Sequence, residues 1–235
     1  MHLTKILFVC HGNICRSPMA EFIFKDMVAR AGLRRAFEIA SAATSAEELG
    51  NPVYPPARRK LAAHGIDCSG KTARCIRKED YADWDLLIGF DGANLRNMER
   101  AFGGDPDGKL HLLTAYAGRP GAIIDDPWYT RDFDTAWDDI HEGCFGLLKT
   151  LQPEVTLDFS ACREKQELYD ILAARMLWQA DYGRNLDALY DILTGLPHLG
   201  ERFHIVLPAE DAPCRGYAEI MAQVFEDAGA EVTTE

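Results

Sequence analysis

Three features of the sequence predict an α/β chain built from two parts. Strand-like and helix-like segments alternate from residue 3 to about residue 151. After Leu151-Gln152-Pro153 the alternation starts again. Acidic charge is concentrated in that second stretch. The expected architecture is a parallel four-stranded sheet with flanking helices over 1–152, then a small three-stranded α/β domain over 153–235.

The elements follow in order. Leu3–Val9 reads as a first strand, its apolar stretch Ile6-Leu7-Phe8-Val9 being of the kind that fills a strand buried on both faces. Ser17 and Pro18 suit the start of a helix, with Ser17 as cap and Pro18 in the first turn. Met19, Phe22, Ile23, Met27 and Val28 recur at helical spacing, and Gly32 can end the helix. Phe37–Ala42 reads as a second strand. Pro56–His64 reads as a helix closed by Gly65. Asp85–Phe90 and Lys109–Leu113 read as the third and fourth strands, and Asp134–Leu151 as a helix. In the second part, Val155–Phe159, Phe203–Leu207 and Glu231–Thr234 read as strands. Glu164–Leu177, Asn185–Leu193 and Arg215–Ala228 read as helices.

Of the 235 residues, 47% are apolar and 26% charged, ordinary for a globular chain and unlike a disordered one. No apolar run reaches the ~18–20 residues that span a bilayer, so a membrane protein is not expected. The short apolar N-terminal run lacks a small-residue cleavage site and reads as a strand, not a signal peptide. A cytoplasmic protein is expected, with its seven cysteines as free thiols. Residues 1–152 carry 19 basic and 21 acidic side chains, net −2, whereas 153–235 carry 6 and 16, net −10. So acidic a module repels nucleic acid and anionic membranes and attracts a basic protein.

The chemistry is concentrated in Cys10-His11-Gly12-Asn13-Ile14-Cys15-Arg16-Ser17, a C-x5-R-S motif where an apolar strand hands over to a helix. Backbone N–H groups of such a loop converge on an anion, and the helix N-terminus adds partial positive charge. Gly12 and Asn13 tolerate left-handed backbone angles. Arg16 can grip a phosphate with two parallel hydrogen bonds. The same field favours the thiolate of Cys10, and the Ser17 hydroxyl can orient it. A thiolate beneath a phosphate monoester can attack phosphorus and form a phosphocysteine. Asp126, in Asp125-Asp126-Pro127-Trp128-Tyr129 after the fourth strand, is the candidate acid for the leaving oxygen and the base that later activates water. Trp128 and Tyr129 can wall an aromatic pocket. No metal-ligand spacing is present, and this chemistry needs no cofactor.

A second C-x5-R, Cys68 to Arg74, overlaps a G-x4-GK[ST] pattern, Gly65 to Thr72. It follows a helix end and not a strand, so it reads as a plain turn.

With Pro18-Met19-Ala20-Glu21, Ser41 to Ser45, Phe90-Asp91, Asn94-Leu95-Arg96 and Asp126-Pro127, the loop makes residues 1–152 resemble a low-molecular-weight protein-tyrosine phosphatase. The resemblance implies the phosphotyrosine phosphatase I fold and phosphotyrosine proteins as substrates. It implies Cys10 as nucleophile, Arg16 as phosphate ligand, Ser17 as partner of the thiolate, Asn13 as loop support and Asp126 as acid/base. It also implies that Cys15 can form a reversible disulfide with Cys10. His11 departs from the less polar residue usual there and is expected at the pocket mouth. Thioredoxin-linked arsenate reductases share the loop but need two further cysteines, where this chain has Phe90 and Asn97. A loop that binds phosphate without turnover is the non-enzymatic alternative.

Residues 153–235 resemble barstar, an intracellular ribonuclease inhibitor, most clearly over Tyr182 to Gly195. Leu186, Leu189 and Leu193 form an apolar stripe, and Asp187 and Asp191, at i and i+4, share the other face. The resemblance implies a three-stranded parallel sheet. It also implies partner contacts from Tyr182, Gly183, Asp187, Asp191, Thr194 and, more loosely, Asp227, directed at a ribonuclease or another basic protein. The alternative reading of the two aspartates is a solvated helix face.

Overall fold

The computed structural model describes residues 3–31, 33–151, 155–176, 183–195 and 202–235. Contacts divide the chain into two compact units: Met1–Ala29 with Leu33–Thr150, and Leu151–Glu235 with Arg30–Gly32.

In the first unit, β1 (Thr4–Cys10), β2 (Phe37–Ala43), β3 (Leu86–Gly89) and β4 (Leu110–Leu112) are the strands. Between them lie α1 (Arg16–Arg30), α2 (Pro55–Ala63), α3 (Asp80–Asp83) and α4 (Gly92–Phe102). They are followed by α5 (Leu113–Tyr116), α6 (Pro127–Thr130) and α7 (Phe133–Leu151). The sheet is parallel throughout, in the order β2-β1-β3-β4. Ile6, Leu7, Phe8 and Val9 are fully buried, as an unbroken apolar run requires of a central strand. Phe8 meets Phe24 of α1 edge-on, with ring centroids 5.9 Å apart, and this contact seats α1 on the sheet. The chain leaves β1 toward β2 on one side and later returns to β3 on the other. The strand order therefore reverses beside β1, and a crevice opens at the C-terminal ends of β1 and β3.

Each strand and long helix expected from the sequence is present within two residues. Gly32 lies outside the described residues. One local expectation is corrected. The first helix begins at Arg16, so Ser17 is inside it and is not its cap. Its hydroxyl turns to Cys10 and Asn13 instead. Pro18 is still tolerated, because the first four N–H groups of a helix have no partner within it.

α7 closes over α5 through two glycines. A Cβ at Gly146 would overlap the Tyr116 carbonyl, which is backbone and cannot swing away. In an exposed helix, Gly→Ala gains up to ~1 kcal/mol. Here overpacking wins, and Gly146→Ala is expected to destabilise the protein by about 2 kcal/mol or more. A lower urea midpoint is the readout, and an unchanged or raised midpoint would show that the helices separate without cost.

The second unit carries a parallel sheet in the order β5 (Val155–Asp158), β6 (Arg202–Val206), β7 (Glu231–Thr234). Its helices are α8 (Lys165–Met176), α9 (Leu186–Gly195) and α10 (Arg215–Asp227). Leu157, Leu168, Leu189, Leu193, Phe203 and Phe225 are buried in one cluster. The apolar stripe of α9 faces this core, and Asp187, Tyr190, Asp191 and Thr194 are exposed.

Candidate active site

Residues 11–15 turn between β1 and α1 at the crevice. Asn13 has a left-handed φ of 57°. Gly12, the other residue of the loop that tolerates such angles, does not adopt one. Gly12 is needed for space, since a Cβ there would stand 3.2 Å from the Cγ of Glu48. The Cys10 sulfur is buried and lies 3.0 Å from the Ser17 hydroxyl, and it accepts from the Asn13 backbone N–H at 3.3 Å. The start of α1 lies behind the sulfur, so the N–H of Asn13 and the positive end of the helix dipole both point toward it.

Asn13 is the hub of the loop. Its amide nitrogen donates to Ser17 Oγ (2.9 Å) and Ser41 Oγ (2.7 Å), and its amide oxygen accepts from the Arg74 backbone N–H (3.1 Å). Ser41 in turn donates to buried Glu21 at 2.5 Å, and Lys25 (2.5 Å) and Lys71 (2.8 Å) pair with the same carboxylate. Burial alone would raise the Glu21 pKa. The Lys71 charge and hydrogen bonds from Lys25, Lys71 and Ser41 reverse that and lower it.

A carboxyl whose pKa is lowered on folding contributes stability above its ordinary, unfolded pKa of about 4.5, and loses it as the pH falls through the folded value. Glu21→Gln is therefore expected to cost about 3 kcal/mol at neutral pH by stranding Lys71. The gap to the unsubstituted protein should narrow below about pH 4. Urea midpoints at the two pH values check this, and a gap independent of pH would contradict it.

Arg16 is 3% exposed. Its Nη1 donates to Asp91 (2.6 Å) and the Ile124 carbonyl (3.0 Å), and its Nη2 donates to Asp126 (2.7 Å). Burial alone would lower its pKa. The charges of Cys10, Asp126 and Asp91 outweigh burial and raise it, so the guanidinium stays charged. Its Nε is buried without a hydrogen-bond partner, a donor left over for an anion. Asp91 also caps α4 through Asn94 N–H (2.7 Å). Asp126 caps α6 through Trp128 N–H (3.1 Å), which places its carboxylate at the crevice.

A cavity of about 160 Å³ opens above the loop, lined by Cys10, His11, Gly12, Ile14 and Cys15. Glu47, Glu48, Asp126, Trp128 and Tyr129 complete the wall. Tyr54 packs on Trp128 at 4.7 Å, and Arg131 ties the pair by lying over Trp128 (5.5 Å) and donating to the Tyr54 hydroxyl (3.0 Å). Thus Cys10, Arg16, Ser17 and Asp126, named from the sequence, converge with the loop residues. Asp91, Glu21, Ser41, Lys71, Glu47 and Glu48 were not named as site residues. Asp91 was within reach of the rule that sites collect at strand C-termini. The others come from distant segments and carry no local signal.

The second C-x5-R forms no comparable loop. Lys71 is spent on Glu21 and the Ser41 carbonyl, and Arg74 on Asp80.

Family comparisons agree with this geometry. The family model described as low molecular weight phosphotyrosine protein phosphatase matches residues 5–157. The chain belongs to that family. Its members are hydrolases. The low molecular weight protein-tyrosine-phosphatase YfkJ of Bacillus subtilis is 35% identical over 156 residues, 66% of this chain and 100% of that protein. The human low molecular weight phosphotyrosine protein phosphatase is 38% identical over 141 residues, 59% of this chain and 87% of its own length. The crystal structure of YfkJ superimposes with a TM-score of 0.62 at 33% identity, covering 64% of this chain and 96% of that one. A second family model, Barstar (barnase inhibitor), matches residues 152–235. Of the residues expected from the sequence to contact a partner, Gly183, Asp187, Asp191, Thr194 and Asp227 are exposed, and Tyr182 lies outside the described residues. Among the described residues, no helix is long and apolar enough to cross a membrane.

Proposed function

We propose that residues 1–152 are a catalytic domain that hydrolyses phosphotyrosine in proteins through a phosphocysteine on Cys10. The observation that carries this reading is the cavity in which the Cys10 sulfur, held by Asn13 and Ser17, shares a wall with Asp126 above buried Arg16. The Cys10 thiolate attacks phosphorus and the P–O bond to the aryl group breaks. Asp126 gives its proton to the departing phenolate. Water then attacks the phosphocysteine, Asp126 takes the proton, and phosphate leaves with the thiolate restored. Arg16 and the loop N–H groups stabilise the phosphoryl oxygens throughout.

Ile14, Trp128 and Tyr129 favour an aromatic leaving group. The test is hydrolysis of a phosphotyrosyl and a phosphoseryl peptide by the full chain in reducing buffer. Turnover of the first and little of the second is expected. Phosphate binding without turnover would leave only a binding loop, and thiol-dependent reduction of arsenate would favour the reductase alternative. Cys15, beside Cys10 in the cavity, is the proposed partner in a reversible disulfide that stops turnover.

For residues 153–235 the reading is an acidic protein-binding domain for a ribonuclease or other basic protein. The exposed Asp187 and Asp191 on α9 support it. Titration with a basic ribonuclease, with Asp187→Ala as the comparison, tests it. Seven free cysteines agree with a reducing, cytoplasmic setting.

A further inference from the structure

The cavity that must admit a phosphate dianion has an acidic mouth. Glu47, Glu48 and Asp126 line it, and among the described residues its lining includes no lysine or arginine, Arg16 being buried beneath. Asp126 has a role in the chemistry proposed above. Glu47 and Glu48 have none, and each opposes the approach of a dianion.

Their placement is built in. The segment that carries them is stitched to the phosphate loop, with Thr44 N–H donating to the Cys10 carbonyl (2.9 Å) and Ser45 N–H to the His11 carbonyl (3.0 Å). The Glu48 stem packs on Gly12, and its carboxylate is held by Asn51 Nδ2 at 2.6 Å. Its charge reaches the loop. Burial is the main cause of the raised Cys15 pKa, followed by Cys10 and Asp126, and Glu48 adds to them. Glu47 lies farther out and is well exposed, 3.1 Å from His11 Nε2.

Carboxylates fixed beside an anion site weaken binding of a bare phosphate monoester. They stop doing so when the substrate brings a cation of its own. We infer that Glu47 and Glu48 form a docking rim that selects phosphotyrosines flanked by arginine or lysine. The inference rests on the phosphatase reading above and names the substrate class for that site.

Three phosphotyrosyl peptides that differ only in carrying Arg, Gln or Glu on both sides of the phosphotyrosine test it with the full chain. At low ionic strength the Arg peptide should exceed the Glu peptide by on the order of tenfold in kcat/KM, mostly through KM, since exposed charge contacts contribute a few-fold each. Salt should shrink the ratio. The double variant Glu47→Gln with Glu48→Gln should reduce it to about twofold and lower KM for the Glu peptide. Glu47→Lys alone should shift the order toward the Glu peptide. Equal kcat/KM for all three peptides, or a preference that survives in the double variant, would overturn the inference while p-nitrophenyl phosphate is still hydrolysed. Loss of turnover on every substrate would overturn the phosphatase reading and this inference with it.

Discussion

Cys10→Ser is expected to lower aryl phosphate hydrolysis by on the order of 10⁴-fold or more, the scale seen when a nucleophile is removed from a catalytic unit. A serine hydroxyl is far harder to ionise than a thiol and needs a base beside it. None of the groups contacting the Cys10 sulfur is one: its neighbours are the Ser17 hydroxyl and the Asn13 N–H. His11, the nearest imidazole in sequence, turns to Glu47. Arg16 and the loop N–H groups are untouched, so the variant should still bind inorganic phosphate. Cys15→Ser is the matched comparison. Burial, with Cys10 and Asp126 nearby, pushes the Cys15 thiol pKa up, so it is a poor source of thiolate at neutral pH. The Cys15 variant should keep most of its turnover in reducing buffer. If instead Cys10→Ser stays active and Cys15→Ser does not, the nucleophile has been assigned to the wrong thiol.

Cys10 was legible as the candidate nucleophile because three local signals coincide. An apolar strand ends at Cys10, a residue tolerant of positive φ follows, and a helix opens at Arg16. The α/β order was legible for a similar reason, since short apolar runs such as Ile6–Val9 alternate with longer stretches of helical spacing such as Met19–Val28. The four-residue helices at Asp80–Asp83, Leu113–Tyr116 and Pro127–Thr130 are too short to show a period, and the sequence left them unmarked. The support beneath the loop was hidden by distance along the chain. Glu21, Ser41 and Lys71 meet only after α1, β2 and the turn before β3 have packed together. The same turn explains the false signals there. Its lysine and arginine match phosphate motifs by spacing, but the fold spends them on carboxylates inside the protein.

Asp126→Asn separates proton transfer from placement. In this structure the Asp126 carboxylate is ion-paired with Arg16 Nη2 at 2.7 Å. A general acid must hold a proton. A bound dianion changes the balance by competing for the guanidinium, which frees Asp126. Asparagine keeps the size and an oxygen that can accept from Trp128 N–H, but has no proton to give at that strength. The loss should therefore depend on the leaving group. For phenyl phosphate, a model of phosphotyrosine, kcat should fall by about 10²–10⁴-fold, the usual contribution of general acid catalysis. For p-nitrophenyl phosphate, whose leaving group departs without help, formation of the phosphocysteine should be largely spared. Its hydrolysis still needs Asp126 as base, so the adduct on Cys10 should accumulate and be trapped by acid quench. A loss of equal size for both substrates, with no adduct, would mean that Asp126 acts only by holding Arg16 in place. Asp91, which grips the same guanidinium at 2.6 Å, would then be its equal partner and not a bystander to the chemistry.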